Sequence, residues 1–312
     1  MKFSVVIPLY NKEQYIENTL NSVLRQTCQD FEIIVVDDGS ADGSMEAASR
    51  VVSDKIRLIR QENQGVAVAR NTGIHNARGT YVSFLDADDA WSENYLEEIN
   101  ALTEKYPMSD MFVTAYTVDM GNGKIHNSTQ LTPEHGCLDS YWLTLAKGYD
   151  FVWTSVTTIR TEALLRAGCF KPGEKIGQDL DMWARVARNN PKVAYSAKLC
   201  AVYNRSAEQN ARTRVRIAWA GAFIQDLEEE LVNPAHTPAE LDAIQCKYDK
   251  KMTVYIFTAI LAGEKKRAAM ALKEWKGEKN KRNRLLRAGL RIAMWMPTAV
   301  NRWIYNIRLK VF

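Results

Sequence analysis

Three carboxylates fall within four residues where an apolar run ends: Asp86, Asp88 and Asp89 follow Tyr81, Val82, Phe84 and Leu85. A strand buried on both faces reads as such a short apolar run. The acids are therefore expected just past its carboxyl end, where open α/β sheets bind ligands. Three anions on one loop repel one another, and a hard divalent cation relieves that repulsion. Mg²⁺ is commonly held by one or two carboxylates together with substrate phosphates. Asp is also a good helix N-cap; Asp89 fits that role as well as it fits a ligand site, whereas the cluster as a whole favours the ligand site.

A second pair of acids, Asp37 and Asp38, closes the β-branched run Phe31–Val36 and is followed by Gly39-Ser40. Alone, Asp-Gly-Ser is ordinary turn chemistry. In a parallel sheet, however, both acidic turns lie on one edge, beside Pro8-Leu9-Tyr10-Asn11 and the Arg70-Asn71 pair. Together these residues hold the ingredients for a nucleoside diphosphate. Carboxylates accept from base N–H groups and ribose hydroxyls, an aromatic ring packs on the base, and an arginine meets oxyanions.

The elements that must position these groups alternate regularly. Strands are expected over 3–9, 31–36, 56–59 and 81–85, with helices over about 12–26, 43–53 and 65–77 between them. Alternation at this spacing predicts βαβ units, an α/β fold and a mainly parallel sheet. Residues 111–117 and 152–159 read as further strands and 178–188 as a helix. From Arg214 the chain reads as mostly helical, with Thr237-Pro238-Ala239-Glu240 resembling a capped helix start. The expected division is a catalytic domain over 1–205 and a helical C-terminal region over 206–312.

Composition narrows the class. At 312 residues, 46% hydrophobic and 25% charged, the chain reads as an ordinary globular protein. Its five cysteines are scattered without a Cys-x-x-Cys pair, which reads as reduced thiols in a cytoplasmic protein. No Gly-x-Gly-x-x-Gly follows the first strand and no P-loop motif occurs, so neither a dinucleotide cofactor nor P-loop NTPase chemistry is expected. None of the four histidines, His75, His126, His135 and His236, has metal-ligand or triad spacing.

Several of these segments resemble the family 2 glycosyltransferases of the GT-A fold. Val5-Val6-Ile7-Pro8-Leu9-Tyr10-Asn11-Lys12 looks like their opening strand, and Val35-Val36-Asp37-Asp38-Gly39-Ser40 like their nucleotide-binding turn. Asn63-Gln64-Gly65 with Ala69-Arg70-Asn71-Thr72-Gly73 is similar to their Asn-x-Gly…Ala-Arg-Asn-x-Gly segment. Asp86-Ala87-Asp88 is similar to their Asp-x-Asp motif. Gly168-Cys169-Phe170 and Gly177-Gln178-Asp179-Leu180-Asp181-Met182-Trp183 resemble their acceptor-side segment.

The resemblance covers about residues 1–205 and implies an inverting glycosyltransferase of hexosyltransferase type, using a nucleotide-sugar donor such as a UDP-sugar. It implies that Pro8, Tyr10 and Asp38 contact base and ribose, that Arg70 serves the base or phosphate side, and that Asp86 binds ribose or sugar. Asp88 would hold a divalent metal, Mn²⁺ or Mg²⁺, on the diphosphate, and Asp179 would be the general base. The usual Glu-Asp pair is here Gln178-Asp179, which removes a like charge beside the base. Asp181 fits a helix N-terminus, where acids are favoured by the dipole. The Gln-x-x-Arg-Trp motif of processive members is absent, so one sugar per encounter is expected.

Charge is uneven. From Glu264 onward there are 14 Lys/Arg against 3 Asp/Glu, leaving 27 against 34 before it. Between Lys279 and Phe312, cations (Lys281, Arg284, Arg287, Arg291) mix with Leu285, Leu290, Ile292, Trp295 and Trp303, with Pro297 dividing two short helices. Basic residues with Trp and Leu mark a helix lying in a membrane interface. The alternative is a helix packed on the body with a solvated basic face. No motif supports nucleic-acid binding. The expected partners are thus a nucleotide-sugar, a glycan or lipid-linked acceptor of the cell envelope and an anionic membrane surface, placing the enzyme on the inner face of the cell membrane. Two rival readings stay open: a metal-dependent nucleotidyltransferase or phosphohydrolase, and a non-catalytic nucleotide-sugar-binding protein.

Overall fold

The structure, a computed structural model, describes residues 1–121, 125–128, 131–146, 151–174, 177–205, 221–277 and 281–301. The chain divides into two compact units, Met1–Asn210 and Ala211–Phe312.

In the first unit the expected alternation is present. Strands β1 (Phe3–Leu9), β2 (Phe31–Asp38), β3 (Ile56–Gln61) and β4 (Tyr81–Phe84) alternate with helices α1 (Ile16–Leu24), α2 (Ser44–Arg50) and α3 (Val66–Asn76). β1 pairs in parallel with both β2 and β4, and β2 with β3. After β5 (Ala90–Trp91) and α4 (Tyr95–Lys105) come β6 (Met111–Asp119), β7 (Ile125–Asn127), β8 (His135–Cys137) and α5 (Tyr141–Ala146). A 3₁₀ turn at Thr154–Val156 leads into β9 (Thr157–Arg160), α6 (Thr161–Arg166), α7 (Gln178–Asn189) and β10 (Val193–Asn204). Among the described residues these form one mixed sheet in the order β3-β2-β1-β4-β9-β6-β10-β5, with β7 on β6 and β8 on β10.

Every residue of β2 is buried, which is why its sequence runs apolar rather than alternating. Val5, Ile7, Leu9, Ile33 and Val35 pack on one face with Ile16, Leu20 and Val23 of α1 and Ile99 and Leu102 of α4. Ile34 and Val36 face the other way, against Ala69 of α3. Helices thus cover both faces, and the strand ends are left to build a site.

Two boundaries differ from expectation. The first helix begins at Ile16 rather than Lys12, because the preceding backbone is held by side chains: Asn11 N–H donates to Ser40 Oγ (3.1 Å) and Lys12 N–H to Ser44 Oγ (2.7 Å). The strand expected over 152–159 begins only at Thr157. Its first part turns instead, with Val156 N–H (3.0 Å) and Thr157 Oγ (2.7 Å) both donating to the Trp153 carbonyl.

The second unit is helical: α8 (Gly221–Glu230), α9 (Pro238–Leu261), α10 (Lys265–Glu274) and α11 (Lys281–Trp295). The capping box at Thr237 and Glu240 is formed, with Pro238 at the first position. Asp249 of α9 ties the bundle together, accepting from Trp275 Nε1 (2.8 Å) and Asn283 Nδ2 (2.5 Å). The α11 helix buries Asn283 and Leu290, and Arg287 stacks on Trp275 at 4.6 Å. Its other face leaves Leu285, Ile292 and Trp295 exposed, Trp295 to 90%, beside exposed Arg284 and Arg291. Helical structure stops at Trp295 and resumes after Pro297 over 298–301; Arg302, Trp303, Arg308, Lys310 and Phe312 lie outside the described residues.

Gly73 is where α3 meets β1. A Cβ there would enter the van der Waals shell of Val6 Cγ1. Helix propensity alone favours Ala over Gly by about 1 kcal/mol, but overpacking typically costs about 1–3 kcal/mol. Gly73→Ala is therefore expected to destabilise the protein by about 1–2 kcal/mol in urea unfolding, and adding Val6→Ala should recover part of the loss. A stabilised Gly73→Ala would refute the close approach.

Candidate functional site at the strand ends

The edge at the ends of β1, β2 and β3 is built from three turns locked together. Beyond Pro8, Tyr10 is 42% exposed and Asn11 adopts a φ of +51°. Asn11 Oδ1 accepts from Ala41 N–H (2.9 Å), and Glu13 accepts from Gly43 N–H (3.1 Å). Gly39, at φ +72°, lies so close to the next turn that a Cβ would come within 2.9 Å of Asn63 N. Asp37 is fully buried, accepts from Ser40 N–H (3.1 Å) and has Arg60 at 3.3 Å. Asp38, also buried, accepts from Gln61 Nε2 (2.8 Å), Gln64 N–H (2.9 Å) and Gly65 N–H (2.8 Å). An ionised carboxylate has about four acceptor positions. Asp38 therefore orders the entry to α3, with three of these positions filled by the protein.

At the end of β4 each acid has a distinct partner. Arg70 of α3 donates to Asp86 Oδ1 at 2.7 Å and sits 5.4 Å over the Phe170 ring. Arg70 is only 3% exposed, and its Nε and remaining guanidinium nitrogen lack hydrogen-bond partners among the described residues. Buried donors left unmade are costly, so these point to an anionic ligand. Asp88 Oδ2 meets Lys12 Nζ at 2.6 Å. Burial pushes the Asp88 carboxyl above its ordinary value, reinforced by Asp86 and opposed by the Lys12 ammonium. Asp89 takes a structural role: it accepts from Ser155 Oγ (2.7 Å) and Asn204 N–H (2.9 Å), fastening the acidic loop to the 3₁₀ turn and to β10. Burial, with the charges of Asp88 and Asp86, drives its carboxyl well above the usual range.

The 3₁₀ turn and the start of α7 join this loop through two consecutive residues. Ser155 Oγ accepts from Asp86 N–H (3.1 Å) while it donates to Asp89. Its neighbour Thr154 donates to Asp179 Oδ2 (3.4 Å). Adjacent Cα atoms are about 3.8 Å apart, so Asp179, at the N-terminus of α7, is linked to the acidic loop by a hydrogen-bonded path two residues wide. Asn71, next to Arg70, forms a two-way amide pair with the Phe170 backbone, 2.8 Å in each direction. Asp181 is buried and engages Arg185 (2.5 Å) and Lys171 (2.8 Å), and Arg185 also holds the carbonyls of Ala167 and Cys169. Asp181 is therefore a packing acid, whereas Asp179 is partly open. The Oε1 atom of Gln178 is buried without a hydrogen-bond partner among the described residues.

Asp86 and Asp88 offer the hard oxygen donors that suit Mg²⁺ or Mn²⁺. Among the described residues, no group of three or more His, Cys, Asp or Glu could hold a metal ion. The donor set thus fits a metal that draws its other oxygens from a diphosphate and water. Sequence reasoning overlooked Lys12, Thr154 and Ser155 as site residues. Lys12 follows the first strand end directly, and Thr154-Ser155 interrupts an otherwise apolar segment; both signals are weak without the fold.

The family model described as "Glycosyl transferase family 2" matches residues 4–166, just over half of the chain. A glycosyltransferase of Nostoc sp., alr2836, bearing the name "Uncharacterized", is 39% identical over 171 residues, covering 53% of this chain and 52% of that protein. TuaG of Bacillus subtilis, named for teichuronic acid biosynthesis, is 43% identical over 98 residues, 30% of this chain and 39% of that protein. The chain spans about half or less of the length of these relatives. In fold it is similar to Staphylococcus aureus TarS 1–349 in complex with UDP-GlcNAc, with a TM-score of 0.72 and 20% identity over 94% of this chain and 87% of that one. The mannosyltransferase PcManGT of Pyrobaculum calidifontis, in complex with GDP-Man and Mn²⁺, gives 0.61 and 18% over 96% and 82%. With the strand-end acids, the mixed sheet and this family match together, the chain belongs to the family 2 glycosyltransferases and carries the GT-A fold.

Proposed function

We propose that the enzyme moves one sugar per encounter, with inversion, from a UDP-sugar to a hydroxyl of a cell-envelope glycan or lipid-linked acceptor. The observation that carries this reading is the Thr154-Ser155 bridge, which sets a partly open carboxylate, Asp179, beside the acids of the donor edge. The name of TuaG and the UDP-GlcNAc bound to TarS support the substrate class.

In this reading Pro8 and Tyr10 face the base, the remaining acceptor position of Asp38 takes a base N–H or ribose hydroxyl, and the free donors of Arg70 meet the phosphate side. Asp86 contacts ribose or sugar. Asp88 would hold Mn²⁺ or Mg²⁺ with the diphosphate, and a cation bound there supplies Lewis-acid stabilisation of developing negative charge. Asp179 accepts the proton of the acceptor hydroxyl. Leu180 N–H donates to its Oδ1 at 2.8 Å, holding the carboxylate at the N-terminus of α7. One base and no protein nucleophile give a single displacement.

Asp179→Asn is expected to cut transfer about 10²- to 10⁴-fold while UDP affinity, measured calorimetrically, changes little. Parallel loss of both would move Asp179 to the donor side. Asp88→Asn is expected to weaken UDP binding in Mn²⁺ strongly, and wild-type binding should fall when EDTA is added. Equal binding in every arm would remove the metal from the site. Release of phosphate or nucleotidyl transfer without sugar transfer would favour the rival hydrolase or nucleotidyltransferase reading.

For the second unit, we read the exposed Leu285–Ile292–Trp295 face of α11, with Arg284 and Arg291 beside it, as the surface that meets an anionic cytoplasmic leaflet. No helix among the described residues is long and apolar enough to cross a membrane, so the attachment proposed is peripheral. Each cation near such a leaflet contributes about 1 kcal/mol, screened by salt. Sedimentation with anionic vesicles should be strong at low salt and reduced by Trp295→Ala with Arg291→Gln. A full-length protein that stays in the supernatant would assign this face to packing instead.

A further inference from the structure

The turn that follows α6 is held from two sides. Gly168 and Cys169 carry positive φ, +81° and +57°, and Arg185 of α7 donates to the Ala167 and Cys169 carbonyls on either side of them. Asn71 of α3 takes the next residue by its backbone. Its Nδ2 donates to the Phe170 carbonyl and its Oδ1 accepts from the Phe170 N–H, 2.8 Å each way. A carboxamide offers both a donor and an acceptor, so one side chain satisfies both backbone groups of Phe170. The ring is equally confined: it stands edge-on to Phe84 of β4 (5.5 Å) and to Trp183 of α7 (5.8 Å), and Phe170 is 1% exposed. Over this ring lies the Arg70 guanidinium, 5.4 Å from the centroid, with Nη2 on Asp86 Oδ1 at 2.7 Å. A single hydrogen bond leaves a planar fork free to swing about it, and a second contact on an aromatic face removes that freedom. Nε and Nη1, which have no hydrogen-bond partners among the described residues, are then aimed in fixed directions.

We propose that Phe170 is a positioning residue for donor binding: clamped by Asn71, its ring fixes the plane of Arg70 and aims Nε and Nη1 at anionic oxygens of the nucleotide. The proposal rests on the reading of Arg70 as a contact to the phosphate side. Adjacent residues of α3 then share one task, Asn71 holding Phe170 and Phe170 holding Arg70. The consequence is that an apolar residue 100 positions from Arg70 along the chain sets donor affinity without touching the donor. Its effect passes wholly through one guanidinium, which separates it from a residue that only fills the core.

The test is a double-mutant cycle read by calorimetric titration of UDP, in Mn²⁺, into the full chain as wild type, Phe170→Leu, Arg70→Gln and the double variant, with urea unfolding of each alongside. Loss of a desolvated cation–aromatic contact should weaken UDP binding by Phe170→Leu about 3- to 30-fold. In the Arg70→Gln background the same change should cost less than about two-fold, the limit within which independent effects add. Asn71→Ala, which releases the Phe170 backbone, should reproduce the Arg70-dependent loss. A ring that merely fills the core would weaken UDP binding equally in both backgrounds. That result, or wild-type affinity in Phe170→Leu, overturns the proposal. Should Phe170→Leu fail to fold, Phe170→Met completes the cycle. Positioning is also read without nucleotide: the ring current of Phe170 should displace the NMR resonance of Arg70 Nε–H, and Phe170→Leu should return it towards those of the other arginines. A resonance that does not move between the two proteins overturns the proposal as well. Wild-type UDP affinity in Arg70→Gln, or no UDP binding by wild type, would instead sink the nucleotide reading of this edge, while the Nε–H comparison would still decide whether Phe170 fixes Arg70.

Discussion

Negative charge at the end of β4 is the constraint around which the first unit is organised. Asp86, Asp88 and Asp89 emerge together from a buried strand, and a buried carboxylate without a partner is strongly destabilising. Each is answered from a different part of the chain: Asp86 by Arg70 of α3, Asp88 by Lys12 before α1, and Asp89 by Ser155 and the backbone of Asn204. Supplying partners to three acids thus draws the β1 turn, α3, the 3₁₀ turn and β10 to one place. The same contacts that make the loop tolerable link it to Asp179 through Thr154 and Ser155.

These partners differ in kind. Asp89 is enclosed by neutral donors and closes the structure from beneath. Arg70 retains buried donors without acceptors among the described residues, and Lys12 meets Asp88 at 2.6 Å. The Arg70-Asn71-Thr72-Gly73 segment gathers several such demands in one helix. Arg70 answers Asp86, Asn71 pins the Phe170 turn, Thr72 donates to Gln61 Oε1 (2.7 Å), and Gly73 lets the helix approach β1.

Much of this was legible in the sequence because it follows from periodicity and from strand ends. The βαβ alternation, the parallel pairing of β1 to β4 and the placing of both acidic turns on one edge need only apolar runs and turn residues. The 3₁₀ turn was not legible. Val152–Ile159 has the composition of a strand, and only the fold shows that Trp153 and Ser155 use their backbone carbonyls and a hydroxyl to fasten neighbouring segments. The division of labour among the three acids was equally hidden, since Lys12 and Ser155 lie 76 and 66 residues from their carboxylates along the chain. Asp181 shows the opposite case: its position on the first turn of α7 marks it as structural, and its burial against Arg185 agrees.

The most direct test of the account is a crystal structure of the full chain with UDP and Mg²⁺. The account predicts the ion at about 2.0–2.1 Å from an Asp88 oxygen and from the diphosphate, the free guanidinium donors of Arg70 on an anionic oxygen, and Asp179 facing the open side of the donor. UDP bound away from the ends of β1, β2 and β4, or a metal–UDP complex in which Asp88 does not touch the metal, would contradict it.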